Sequence, residues 1–204
     1  MSSQVFLEKA ALRRQISQAL ARVDVAQLKA GSNRLCERLR RQDVWQKARY
    51  VLLFAPLPDE LDLWPMLGEA LESGKVLGLP QYVPAQRSYT AAQVSDLERD
   101  LTVGHFGIRE PRSSARIFPL NRLDLALVPG VAFGMNGQRL GRGKGYFDKL
   151  LAGTTGIKCG VAWDFQVRDA IPAESHDVCL DCILTPTRWL VAGQGRSGND
   201  AVSK

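Results

Sequence analysis

The 204-residue sequence predicts an α/β protein with an open, mostly parallel sheet, in a Rossmann-like three-layer arrangement with helices on both faces. The continuous apolar run 50–55 is bounded by prolines, which is the pattern of a strand buried on both faces. A second apolar strand at 123–128 is followed by a glycine-rich loop, a helical segment and a third apolar strand at 156–163, which is the order of a βαβ unit. Since this length suits one domain, we expect residues 1–193 to form it and the polar segment 194–204 to be a disordered tail.

The N-terminal segment predicts an amphipathic helix with two cations on one face. Lys9 and Arg13 lie four residues apart, so a helix presents both together. The pair suits an anionic ligand and equally suits a solvated helix face. The helix is predicted from Val5 to about Val23 because apolar side chains recur at helical spacing, namely Phe6, Leu12, Ile16, Ala19 and Leu20.

Further elements complete the predicted order. Asp24 is a predicted N-cap for a second helix that reaches about Gln42, and Gly31 inside it allows a kink or break. The remaining strands are predicted at 75–80, where Pro80 ends the strand, within the weakly alternating region 82–102, at 182–185 and at 188–191.

A sharp turn at 56–60 follows the carboxyl end of the first strand. In open α/β proteins, ligands bind at this edge of the sheet. Glu60 is predicted to open a helix over about 61–73, with Pro65 in its first turn. The Glu60 carboxylate therefore either contacts a ligand or offsets the helix dipole.

The stretch around the central loop is the most informative in the sequence. Gly141, Gly143 and Gly145 alternate with Arg142 and Lys144 between the strand that ends near residue 129 and a helix predicted over 144–151. Bare backbone and two cations beside a helix start favour an anion, and phosphate above most others. The spacing matches neither the P-loop nor the dinucleotide fingerprint. The alternative is a glycine-rich turn whose basic side chains are solvated.

The run 128–133 (Val-Pro-Gly-Val-Ala-Phe) and the run 139–148 (Arg-Leu-Gly-Arg-Gly-Lys-Gly-Tyr-Phe-Asp) resemble the signature of the 5-formyltetrahydrofolate cyclo-ligases, also called methenyltetrahydrofolate synthetases. The chain departs from the usual pattern at Gly134, where the family commonly has Asp, and at Phe147, where it commonly has a second Tyr. Weaker similarities cover most of the chain: the pair Lys9 and Arg13, and the segments 58–60, 106–111, 176–177 and 180–185.

The resemblance implies ATP-dependent ring closure of 5-formyltetrahydrofolate to 5,10-methenyltetrahydrofolate, with release of ADP and phosphate. The residues that it implies are, for ATP, Lys9, Arg13, Gly141, Arg142, Gly143, Lys144, Gly145 and Tyr146; for the folate, Glu60, Glu110 and Tyr146; and for Mg²⁺, Asp148 and Asp177.

The catalytic candidates are Arg142, Lys144 and Tyr146, because phosphoryl transfer depends on positioning and charge stabilisation rather than on a protein nucleophile. Asp148 also suits the start of a helix, whose dipole it would offset, and Glu110 also suits an unliganded loop. Two other functions remain open on the same sheet, since fold does not separate them: a non-catalytic phosphate-binding module, and a sugar-phosphate isomerase or transferase.

The formal net charge of +6 and the pI near 9.4 suit small polyanionic substrates as well as nucleic acid. No arginine-rich tail or aromatic-basic platform accompanies this charge, so we expect ATP and a reduced folate, with or without a polyglutamate tail, and neither nucleic acid nor a membrane as partners. No apolar run approaches the ~20 residues that span a bilayer, and the N-terminus lacks the order of a signal peptide. We therefore expect a cytoplasmic protein. The sequence does not reveal the oligomeric state, for which we favour a monomer.

The four cysteines do not predict a disulfide scaffold. Cys179 and Cys182 have C-x-x-C spacing, with His176 three residues upstream, as in part of a metal or redox site. No second ligand pair stands at suitable spacing, and Cys36 and Cys159 are isolated. We expect thiols that are small buried residues around a strand.

Overall fold

A computed structural model describes residues 3–104, 107–172 and 178–193. Its helices are α1 Ser3–Leu20, α2 Val25–Arg40, α3 Asp43–Lys47, α4 Trp64–Glu72 and α5 Tyr146–Leu151. Its strands are β1 Tyr50–Leu52, β2 Val76–Val83, β3 Ser88–Val94, β4 Leu101–Val103, β5 Arg109–Pro111, β6 Leu125–Pro129, β7 Ala132–Gly134, β8 Arg139–Leu140, β9 Ile157–Val161, β10 Val167–Arg168, β11 Cys182–Leu184 and β12 Trp189–Val191.

A seven-stranded sheet in the order β12-β11-β9-β6-β1-β2-β3 forms the centre of the fold. The strands from β11 to β2 pair in parallel, whereas β12 and β3 pair antiparallel at the two edges. Two smaller sheets, β10-β7-β8 and β4-β5, lie outside it. The predicted fold class is confirmed.

The packing on both faces of the first strand explains why its sequence is apolar throughout. Val51 and Leu53 pack in the cluster that contains the inner side chains of α2, α3 and α4. Tyr50 and Leu52 point to the opposite face, in the cluster that contains the end of α5. Because successive strand residues face opposite sides, a sheet covered by helices on both faces requires apolar residues at every position.

The second helix begins as predicted. Asp24 Oδ1 accepts from Gln27 N at 2.7 Å, and Gln27 Oε1 accepts from Asp24 N at 3.0 Å, which is a reciprocal capping box. Gly31 does not break the helix, which continues to Arg40. A Cβ at Gly31 would lie 2.3 Å from Cη2 of Trp163, so this glycine permits close packing of the helix on the indole ring.

Three local predictions were wrong. Glu60 does not open a helix: α4 begins at Trp64, although Pro65 lies in its first turn as predicted. Pro80 does not end β2, which continues to Val83 beyond Gly78, the last residue paired with β1. Phe6 does not face inward, because 56% of its surface is exposed.

The cysteines are free thiols, as expected. Cys36, Cys159 and Cys182 are buried, and Cys159 lies opposite Cys182 on neighbouring strands. Burial raises the pKa of Cys36 to about 11 and raises the pKa of Cys159 well above its usual value, so both stay protonated at neutral pH. Cys179 differs from the expectation because it is exposed, and His176 lies outside the described residues.

None of the helices in the described ranges is both long enough and apolar enough to cross a membrane. The tail prediction concerns residues 194–204, which lie outside those ranges. The assignment of 1–193 to one domain, the cytoplasmic location and the monomeric state stay predictions of the sequence.

Candidate functional site

The glycine loop lies at the carboxyl edge of the main sheet, but its surroundings differ from those predicted. The short strands β7 and β8 stand between β6 and the loop, so the loop follows β8. The helix after the loop begins at Tyr146, not at Lys144, and has six residues. Gly143 and Gly145 have φ values of +99° and +65°, conformations that favour glycine. The glycines therefore make the turn itself possible, whereas so short a helix adds little dipole.

Two adjoining cavities open beside this loop. The small cavity, of about 250 Å³, is lined by residues from α1, the β1 and β6 ends and the turn after β9, including Arg13, Ser17, Asp59, Trp163 and Gln166. The large cavity, of about 390 Å³, is lined by Phe54, Ala55, Leu57, Glu60, Pro80, Tyr89, Ile108, Arg109, Glu110, Pro129, Gly130, Arg139, Gly141, Arg142, Lys144, Gly145, Tyr146, Phe147 and Asp148. Both cavities share Phe54, Glu60, Pro129, Gly130 and Arg142.

An ion pair marks the boundary between the cavities. Arg142 Nη2 donates to Glu60 Oε1 at 3.1 Å, and Asp59 lies 3.7 Å from the same guanidinium nitrogen. Glu60 Oε2 accepts from the backbone N–H of Leu57 at 3.0 Å, which fixes the carboxylate within its turn. Glu60 is thus a cavity residue held by the turn rather than a helix-capping residue.

The N-terminal helix brings one of its two cations, Arg13, to the glycine loop. Arg13 Nε donates to the backbone carbonyl of Gly141 at 3.0 Å, and its guanidinium lies near Gly143. Lys9, one turn earlier, is only 7% exposed, so this face of α1 is not a solvated surface. The structure brings Arg13 and Arg142 to the small cavity, while Lys144 lines the large one.

A buried ion pair lies against the glycine loop, and the sequence alone did not predict it. Arg139 Nη2 donates to Asp148 Oδ1 at 2.7 Å, with side chains that are 4% and 16% exposed. Arg139 Nη1 also donates to the carbonyl of Pro129 at 3.2 Å, and Val178 N lies 3.4 Å from Asp148 Oδ1. The nine-residue separation of Arg139 and Asp148 carries no helical signal, so their contact depends on the fold of the intervening loop.

An aromatic wall borders the large cavity, and only part of it was predicted. Tyr146 lies with its ring centroid 5.6 Å from that of Tyr82 and 5.2 Å from that of Tyr89, and Tyr89 lies 5.8 Å from Phe147. Burial raises the pKa of Tyr89 to about 12, with a further contribution from Glu110. Glu110 Oε2 accepts from Tyr82 N at 3.1 Å. The wall suits a flat aromatic ligand. The Glu60 and Glu110 carboxylates line the same cavity and could accept hydrogen bonds from the N–H groups of such a ligand.

The predicted metal residues are only partly described. Asp148 lines the large cavity with Oδ1 held by Arg139, while Asp177 lies outside the described residues. Within the ranges that the structure covers, no three His, Cys, Asp or Glu side chains gather as a metal site. The metal assignment therefore stays a prediction.

Proteins of one known family are similar to this chain. Residues 6–186 match the model of the 5-formyltetrahydrofolate cyclo-ligase family. The chain is 32% identical to a 5-formyltetrahydrofolate cyclo-ligase from Escherichia coli (strain K12), over 69% of this chain and 80% of the relative. It is 33% identical to one from Mycolicibacterium smegmatis, over 71% of this chain and 77% of the relative.

A solved structure of a 5,10-methenyltetrahydrofolate synthetase from Aquifex aeolicus is similar with a TM-score of 0.81 and 31% identity. The similarity covers 95% of this chain and 97% of that structure. The family match spans the glycine loop, the Arg139–Asp148 ion pair and both cavities. The chain therefore belongs to the 5-formyltetrahydrofolate cyclo-ligase family.

Proposed function

We propose that this protein catalyses ATP-dependent cyclisation of 5-formyltetrahydrofolate to 5,10-methenyltetrahydrofolate, with release of ADP and phosphate. The observation that carries the proposal is the pair of adjoining cavities that share Glu60 and Arg142. A reaction between two substrates needs two sites that meet at the reacting atoms, and a single anion-binding turn would not need the second cavity.

The large cavity suits the folate. Tyr146 offers an aromatic face beside Tyr89, and Glu60 and Glu110 are carboxylates on the same lining. The pyrimidinone ring of a reduced folate is flat, and its N–H groups can donate hydrogen bonds to such carboxylates. Glu60 contacts Arg142 of the glycine loop and Tyr146 directly follows that loop, so the reacting end of the folate would lie toward the small cavity.

The loop and the small cavity suit the ATP phosphates. Arg13 and Arg142 line the small cavity, Lys144 stands between two loop glycines, and Lys9 lies one turn before Arg13. Guanidinium groups bind phosphate through paired N–H donors, and a lysine acts as a mobile point charge. Arg142 is paired with Glu60, so a phosphate that binds Arg142 would offer it a more highly charged partner.

The chemistry follows from the poor leaving ability of a formyl oxygen. That oxygen attacks the γ-phosphorus, the bond to the bridging oxygen breaks, and ADP leaves. Nitrogen 10 then attacks the activated formyl carbon and loses its proton, and the carbon–oxygen bond breaks to release phosphate. Arg142 and Lys144 would stabilise charge on the transferring group, and Tyr146 would hold the folate ring against the loop.

Mg²⁺ is the metal that this donor set suits. It binds through one or two carboxylates together with substrate phosphates, and a ligating carboxylate is usually oriented by hydrogen bonds. Asp148 fits this description, because Arg139 and Val178 N hold Oδ1 while Oδ2 makes no hydrogen bond within the described residues. We propose Asp148 and Asp177 as the protein ligands. The ion would neutralise charge on the β- and γ-phosphates.

One coupled assay tests the proposal. Absorbance of the methenyl product and release of ADP are followed with both substrates and with each alone. We expect product only when ATP and 5-formyltetrahydrofolate are present together, with one ADP for each methenyl product. A phosphate-binding module would turn over neither substrate, and an isomerase would ignore ATP, so either result would contradict the proposal.

A further inference from the structure

Arg109 is a cation of the large cavity that the proposed phosphate chemistry does not use. It lies in β5, whereas the other cations that line this cavity come from β8 and the glycine loop. Its guanidinium carbon lies 5.0 Å from the ring centroid of Trp64, and Nη2 donates to the backbone carbonyl of Leu97 at 2.6 Å. The ring and the carbonyl hold the guanidinium in place before a ligand arrives, which reduces the entropy lost on binding.

The remaining partner of Arg109 is weak. Glu98 Oε1 lies 3.8 Å from Nη2, beyond hydrogen-bonding distance, and the Glu98 side chain is 87% exposed against 38% for Arg109. Ion pairs of this kind contribute little because water and salt screen them. The Nε and Nη1 groups make no hydrogen bond or ion pair within the described residues. Arg109 therefore offers donors that match a carboxylate in two-point contact.

The other cations that line the large cavity are already engaged or belong to the loop. Arg139 is buried against Asp148, Arg142 is paired with Glu60, and Lys144 lies in the glycine loop. The acidic residues Glu60 and Glu110 would repel an anionic group placed beside them. A ligand whose ring end meets these carboxylates and the loop must place any carboxylate of its own elsewhere. Among the lining cations, Arg109 is the one that lies neither in the loop nor in β8.

On the basis of the proposed function, we propose that Arg109 binds a carboxylate of the glutamate tail of the reduced folate and selects folates that carry this tail. The ring end would define where chemistry occurs, whereas Arg109 would contribute to affinity alone. Its loss should then raise KM for the folate without slowing turnover at saturation.

The test compares 5-formyltetrahydrofolate with 5-formyltetrahydropteroate, which lacks the glutamate. Equilibrium binding is measured by calorimetry, together with steady-state rates, for wild type, Arg109→Gln, Arg109→Lys and Arg112→Gln. Arg112 follows β5, carries the same charge, is exposed and lines neither cavity, so it is the matched control. Thermal unfolding of each variant checks that it is folded.

We expect Arg109→Gln to weaken binding of 5-formyltetrahydrofolate about 10- to 100-fold, in line with loss of a charge-assisted hydrogen bond. Binding of the pteroate compound, kcat and KM for ATP should change less than about 2-fold, Arg109→Lys should restore part of the affinity, and Arg112→Gln should match wild type. Equal weakening of both ligands, or no weakening of either, would overturn the inference. Wild-type protein that binds both ligands but forms no methenyl product would contradict the proposed function alone, because calorimetry tests Arg109 without turnover.

Discussion

Lys144→Ala separates the functional interpretation of the glycine loop from the structural one. The Lys144 side chain is exposed, and its ammonium makes no hydrogen bond or ion pair within the described part of the chain. Removing it should therefore change the free energy of unfolding by only a few tenths of a kcal/mol, as is usual for surface substitutions. If it contacts the transferring phosphate, the loss of transition-state stabilisation should be about 2–4 kcal/mol, or roughly 30- to 1000-fold in kcat/KM for ATP.

Lys149→Ala is the matched control, because Lys149 is also exposed, lies in α5 and lines neither cavity. Steady-state rates with varied ATP and thermal unfolding are measured for wild type and both variants. Lys149→Ala should match wild type in both measurements. Lys144→Arg should restore only part of the rate, since the wider planar guanidinium does not replace a point charge between two glycines. A folded Lys144→Ala protein with near-normal kcat/KM for ATP would refute the phosphate role.

Three further predictions follow from the site. Glu60→Gln should raise KM for the folate more than KM for ATP in steady-state assays, and a selective rise for ATP would instead assign Glu60 to the phosphates through Arg142. Arg139→Met should lower the free energy of unfolding in urea by about 3–5 kcal/mol, because it leaves the Asp148 carboxylate without its buried partner; a loss below about 1 kcal/mol would contradict that role. Because the pKa of Tyr89 is about 12 in the folded protein against about 10 unfolded, its stabilisation is complete below pH 10 and is lost as pH rises through 12. Urea unfolding across this range should show a smaller fall for Tyr89→Phe than for wild type, and equal falls would count against the shift.

The central sheet could be predicted because its signals are local. The apolar run at 50–55 needs helices on both faces, and the Asp24 capping box is contained within four residues. The predicted end of β2 at Pro80 was wrong because a proline ends a strand only where the neighbouring strand requires its N–H as a hydrogen-bond donor. At Pro80, β2 has no partner in β1. Gly31 was ambiguous for a related reason: its role depends on Trp163, which lies more than a hundred residues away in sequence.

The candidate site was predictable where its residues are consecutive and not where they converge from distant segments. The alternation of glycine with Arg142 and Lys144 is visible in the sequence, and both residues line the large cavity. Arg139 was missed because a single arginine in a two-residue strand carries no pattern, although it occupies the first position of the matching motif. Tyr89 and Arg109 come from strands whose alternation is weak, so only the fold places them in the lining of the large cavity.

The turn after β6 shows how this edge of the sheet can lie beside bound anions. Pro129 and Gly130 line both cavities, and the carbonyl oxygens of a strand end would repel phosphate if they pointed into them. Arg139 Nη1 donates to the carbonyl of Pro129 at 3.2 Å, while Gln166 Nε2 donates to the carbonyls of Gly130 and Val131 at 3.1 and 3.0 Å. Gln166 is itself buried, and its Oε1 accepts from Trp163 N at 2.7 Å, so its orientation is fixed. Two buried side chains thus donate hydrogen bonds to three successive carbonyl oxygens of this turn. Because these oxygens are already bonded, they do not offset the positive charge of the neighbouring glycine loop where the two substrates would meet.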